Sequence, residues 1–154
     1  MEIVKWVLFL VIPLLMTGCV SDSLSALPIR RLEKGSHSGV VEPRQVVIKD
    51  KASWERLWRE HQSGNQPQRP GPEIDFAREI VIFVAMGQQS SGGFTIEIVN
   101  VEVSQRRLRI LFQRKVPPPD AMVTQALTAP FEIVAIPKSD LQPEFVEIKA
   151  ARPQ

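Results

Sequence analysis

The sequence predicts an α+β domain: a mostly antiparallel, sandwich-like β-sheet with one packed α-helix. Three observations predict it. Short β-branched and aromatic runs recur between turn residues, one segment alone carries a helical period, and no crossover helix separates the later strands.

Residues 40–49 read as the first strand because Val46, Val47 and Ile48 form a β-branched group that ends at Asp50. A helix follows, capped by Asp50 or Ser53, whose side-chain oxygens accept from free first-turn amides. Trp54, Leu57, Trp58 and His61 recur at the three-and-four spacing that places them on one face, so the tryptophans dock the helix on the sheet. Between residues 63 and 72, Pro67, Pro70 and Pro72 withhold ladder donors, which makes this an exposed loop.

Residues 79–85, apolar without a break from Ile80 onward, are of strand length, as expected of a central strand covered on both faces. Residues 94–103 and 108–112 alternate instead and turn near Gln105 and Arg106, the pattern of a half-buried antiparallel hairpin. Phe94, Ile96 and Ile98 share one parity, while Val99, Val101 and Val103 share the other. A bulge near Val99 reconciles them. Residues 131–136 and 145–149 supply the last pair of strands.

The N-terminus predicts export. Lys5 precedes an apolar run over residues 6–15, then Thr17, Gly18 and Cys19, which reads as a signal peptide ending in a lipobox. The run is shorter than the roughly 20 apolar residues a bilayer span requires. Cys19 is the only cysteine of the chain, so it closes no intramolecular disulfide and serves as the lipid attachment atom. Two or more acyl chains, each buried CH₂ contributing about 0.8 kcal/mol, give a durable anchor. The expected organisation is a signal peptide over 1–18, a tether over 19–38 and one β-rich domain over 39–150. With no aspartate directly after Cys19, the expected address is the outer membrane of a bacterial envelope, facing periplasm or surface.

The charge balance, 19 basic against 17 acidic side chains, gives a formal +2 and argues against nucleic acid as a partner. Catalysis and metal binding find no support either. His37 falls in the expected tether and His61 at the helix end, where the dipole favours a cation; no spacing suits a metal site. Ser90 and Ser91 have no histidine near them in sequence, and Gly92-Gly93 precedes a strand where a phosphate loop would need a helix. The expectation is a non-enzyme without cofactor or metal.

Two loops remain as candidate contact surface. Gly87 is followed by Gln88, Gln89, Ser90, Ser91, Gly92, Gly93 and Phe94, with Phe94 either anchoring the loop or offering an apolar knob. Val116, Pro117, Pro118, Pro119 and Asp120 form a stiff segment whose prolines lower the entropy cost of a contact.

These loops, the strand Thr95-Ile96-Glu97-Ile98, and the run from Val123 through Thr124, Gln125, Ala126, Leu127, Thr128, Ala129 and Pro130 to Phe131 and Glu132 resemble the C-terminal domain of the protease-complex subunit PrcB, over about residues 79–138. The resemblance implies a secreted or lipid-anchored module that mediates protein contacts and helps assemble or stabilise a protease complex, with no catalysis of its own. It directs attention to Gln88 through Phe94, Pro117, Pro118, Pro119, Gln125 and Thr128 as partner-binding residues. Where the family usually places proline, threonine, two glycines and tyrosine, this chain has Ser90-Ser91-Gly92-Gly93-Phe94, without the proline constraint or the phenol hydroxyl. A glycine-rich loop ending in an aromatic also looks like the loop that chagasin-type inhibitors insert into cysteine-protease clefts. A peptidase inhibitor and a purely structural envelope lipoprotein are therefore the alternatives.

Overall fold

The computed structural model describes residues 25–64 and 67–149; Cys19 and the expected signal peptide lie outside them. Eight strands and one helix follow in chain order: β1 (Ser25–Ala26), β2 (Arg30–Gly35), β3 (Arg44–Ile48), α1 (Lys51–His61), β4 (Glu79–Ala85), β5 (Thr95–Ser104), β6 (Arg107–Lys115), β7 (Phe131–Pro137) and β8 (Gln142–Glu147). One sheet has the order β1-β5-β6-β8, the other β2-β7-β4-β3. Among the described residues, the α+β class and the sandwich with a single helix are observed.

The second sheet is the middle layer. From β4, Ile80, Ile82 and Val84 face the first sheet, where they meet Ile96, Ile98 and Val101 of β5 and Leu108, Ile110 and Phe112 of β6. The intervening Val81, Phe83 and Ala85 face the helix layer, joined by Phe131 and Ile133 of β7 and by Trp54, Leu57 and Trp58 of α1. The six β4 residues from Ile80 to Ala85 are essentially sealed from solvent, which is why none of them is polar.

Helix α1 starts at Asp50, whose Oδ1 accepts from the Ser53 amide at 2.8 Å, so Asp50 is the cap. The indole N–H of Trp58 donates to the Arg69 carbonyl at 2.7 Å and that of Trp54 to the Pro72 carbonyl at 3.3 Å, drawing the proline-rich segment against the helix.

The hairpin of β5 and β6 turns through Gln105 and Arg106, both at positive φ (48° and 60°), as a two-residue turn matched to strand twist requires. Its register slips between Ile98 and Asn100, so Val99 is the bulged residue and both halves of β5 turn apolar side chains inward.

Two segments differ from expectation. The stretch assigned to the tether, 19–38, contains β1 and β2 from residue 25 onward, and β2 pairs along β7. Its sequence, Arg-Arg-Leu-Glu-Lys-Gly, has no apolar alternation because it is an edge strand whose charges meet partners elsewhere in the fold. The second difference is β8, which does not pair with β7. It crosses to the other sheet and runs parallel to β6, the one parallel pairing among these strands.

Candidate protein-binding face

The loop after β4 and the loop before β7 are stitched together residue by residue. Met86 N–H donates to Pro130 O at 2.9 Å, and Gln89 and Thr128 exchange two backbone hydrogen bonds at 2.7 and 3.0 Å. Gly92 N–H then donates to Thr124 O at 2.9 Å, and the Thr128 hydroxyl donates to Ser91 O at 2.7 Å. Gln89 turns its side-chain amide back onto the Met86 carbonyl at 3.2 Å, closing its own loop. These bonds satisfy backbone groups that a loop of this length would otherwise leave to water, and they make the two loops one surface.

Two glycines permit the stitching. Gly93 has φ +86°, and a Cβ there would lie 2.9 Å from Val123 Cγ1 and 3.0 Å from Pro117 Cβ. A Cβ on Gly92 would meet the Thr124 hydroxyl at 2.3 Å. The candidate residues thus divide by role. Gly92, Gly93, Ser91, Gln89, Thr128 and half-buried Pro117 hold the loops together, whereas Gln88, Ser90, Pro118, Pro119 and Gln125 are exposed. Phe94 packs against the inter-sheet core, so it anchors the loop.

Val41 and Met122 were not among the residues the sequence singled out by name, whereas Val116 stood in the proline segment and Leu127 in the run before β7. Val41, Val116 and Leu127 are 53%, 63% and 61% exposed and Met122 is fully so, and all four sit on the segments bordering the stitched loops. Val41 O accepts from Gln88 N–H at 2.8 Å, and a cleft of about 200 Å³ lies between Val41, Gln88, Leu127 and Thr128. Val41 and Leu127 line the same cleft, which brings two of these four exposed apolar side chains together. Residues 80–137 match the PrcB C-terminal family.

The PrcB C-terminal match runs from β4 through β7 and contains both loops, with β2, β3, α1 and β8 outside it. No curated protein and no solved structure matches the chain.

Behind this face, His61 is 1% exposed. Its Nδ1 lies 3.0 Å from the Ser38 hydroxyl and its Nε2 3.5 Å from a Glu33 oxygen, while Glu33 also pairs with Arg69 at 2.7 Å. Its ring packs between Trp58 and Phe131, at centroid distances of 5.2 and 4.3 Å. Burial lowers its pKa, Glu33 opposes that and Arg69 adds to it. The helix-end position that suggested a dipole-stabilised cation is therefore buried, and its burial disfavours the charged imidazole. Ser38 Oγ also accepts from Val40 N–H at 3.1 Å, which commits it to the local turn. Ser91 donates to the Gly92 carbonyl at 3.2 Å. Among the described residues no group of three or more His, Cys, Asp or Glu side chains is placed to hold a metal, and no helix is long and apolar enough to cross a membrane.

Proposed function

We propose that this chain is a lipid-anchored envelope protein whose domain binds another protein without catalysing a reaction, and that the bound partner belongs to a protease complex. The observation that carries the reading is the stitched pair of loops, with Val41, Val116, Met122 and Leu127 exposed along them. Such an arrangement offers a rigid contact surface whose ordering entropy is already spent in folding. The PrcB C-terminal match over the same residues supports the protease association. Cys19 carries the lipid and places the domain at a membrane of the cell envelope, with the outer membrane as the expected address.

The test is a crosslinking pull-down from native membranes with the full-length lipoprotein. A Met122→Lys, Leu127→Lys double variant and Gly93→Val serve as comparisons. Recovery of an envelope protease with the natural sequence, and its loss from both variants, is the expected result. Equal recovery by a folded double variant would exclude this face. Acyl labelling of the full chain beside Cys19→Ala tests the anchor separately.

A further inference from the structure

We propose that the end of the domain where β1 begins is a docking surface for anionic lipid headgroups, with Arg106, Arg107 and Lys138 as its contacts. The proposal rests on lipidation of Cys19 and concerns the end of the molecule opposite the stitched loops. Several strand ends meet here. β5 ends at Ser104 and β6 begins at Arg107, β4 begins at Glu79, β7 ends at Pro137, and β8 begins at Gln142 beside Arg107.

Charge is distributed unevenly between the two ends. Segments 86–94 and 121–131, at the far end, contain no charged side chain. At the near end Arg106, Arg107 and Lys138 are all exposed, and none of them enters an ion pair among the described residues. Lys138 Nζ lies 3.3 Å from the Phe76 carbonyl, a contact that leaves its charge uncompensated. Neighbouring carboxylates are engaged elsewhere: Glu79 accepts from Arg30, Asp75 lies 3.7 Å from Arg78, and Glu102 and Glu144 flank Arg109. Exposed Asp140 remains to oppose the three cations.

The path of the chain identifies the occupant. Ser25 pairs with Val103 beside the hairpin turn, and Cys19 precedes Ser25 by six residues, so acyl groups on Cys19 keep a bilayer surface within reach of this end. Basic side chains close to an anionic leaflet are drawn to it, an attraction that fades within a Debye length and so acts on this end alone. The planar guanidinium of arginine donates two parallel hydrogen bonds to a phosphodiester, while lysine serves as a point charge. Headgroup phosphates thus supply the counter-charge that these side chains lack within the fold.

The experiment uses the full lipoprotein purified from bacterial membranes, with intact mass reporting the acyl groups on Cys19. Because acylation blocks the only native thiol, Gln142→Cys beside Arg107, or Gln125→Cys on the far loops, provides a single site for a fluorophore. Each protein is reconstituted into phosphatidylcholine vesicles with or without phosphatidylglycerol, carrying a headgroup nitroxide as quencher. The expected pattern is quenching at 142 that increases with phosphatidylglycerol, is lost in high salt and is lost in Arg106→Glu, Arg107→Glu, Lys138→Glu, with the label at 125 unquenched throughout. Arg56→Glu, Arg59→Glu, Lys115→Glu makes the same change of net charge elsewhere on the surface and is expected to keep the quenching. Quenching at 142 indifferent to phosphatidylglycerol, equal loss in the two triple variants, or stronger quenching at 125 than at 142 would each overturn the proposal and leave the anchor standing. A mass without acyl groups would remove the anchor, and the proposal with it.

Discussion

Arg31 of β2 and Glu132 of β7 together close the free edge of β5. The Glu132 carboxylate accepts the Ile98 N–H and pairs with the Arg31 guanidinium, which itself donates to the Ile98 carbonyl at 3.3 Å. Strand β1 covers only Glu102 and Val103, so these two side chains stand where a neighbouring strand would otherwise bond beside the bulge. They also tie one sheet of the sandwich to the other.

That arrangement makes Arg31 a stability determinant although its side chain is half exposed. Arg31→Ala leaves Glu132, whose side chain is fully buried, without its counter-charge, and is expected to cost about 3 kcal/mol in denaturant unfolding. Arg30→Ala, which breaks an exposed pair with Glu79, is expected to cost well under 1 kcal/mol. Equal effects would show that the Ile98 edge is not held by this pair.

Acid sensitivity should begin near neutrality. Because burial lowers the His61 pKa in the folded state, the unfolded chain takes up its proton first as pH falls below about 6.5. Unfolding is then favoured by mass action, so stability falls as pH drops. Melting temperature is expected to decline between pH 7 and 5.5 in the natural protein and to stay flatter in His61→Leu. Glu97 and Glu147, whose pKa values are lowered by Lys34 and Arg114 respectively, lose their contribution only in the more acidic carboxylate range. The two windows are separable in one titration.

At Gly93 any side chain meets both an unfavourable φ and close neighbours. Gly93→Ala is expected to destabilise by about 1–2 kcal/mol, with hydrogen exchange accelerating at Gly92 and Thr128 before the core strands. Uniform exchange across the sheets would separate the loops from the strain.

The bulge predicts opposite outcomes for neighbouring valines. Val99, 44% exposed, should accept threonine within about 0.5 kcal/mol, whereas Val101, fully buried, should lose about 1–2 kcal/mol through an inserted hydroxyl. Equal costs, measured by urea unfolding, would mean that the parity of β5 is not reset at this residue.

How much of this was legible in the chain depended on where each residue's partners lie. The helix face showed itself because Trp54, Leu57, Trp58 and His61 all turn to one sheet, and the parity switch at Val99 announced the bulge. Strand β2 stayed hidden because its side chains are matched to distant residues: Arg30 to Glu79, Arg31 to Glu132, Lys34 to Glu97. No local period encodes such pairing. The parallel docking of β8 was equally hidden, since its partner β6 lies beyond an intervening strand of the other sheet. At the candidate face, the glycines and prolines marked the loops. That Gly92 meets Thr124 and Gln89 meets Thr128 followed only from β4 and β7 standing side by side.

The pairing of β1 with Val103 places Ser25 beside the β5–β6 turn. Six peptide steps separate Cys19 from Ser25, a leash of at most about 20 Å when fully drawn out. With lipid on Cys19 as proposed, the β5–β6 turn and its Arg106 and Arg107 are held close to the headgroups. The stitched loops begin at the opposite end of β5, eight residues and about 27 Å further on. Under that proposal the short leash would make the molecule a post with its foot at the bilayer and its apolar tip pointing away. A partner would then be met at a fixed height above the membrane, not at whatever distance a twenty-residue tether allowed.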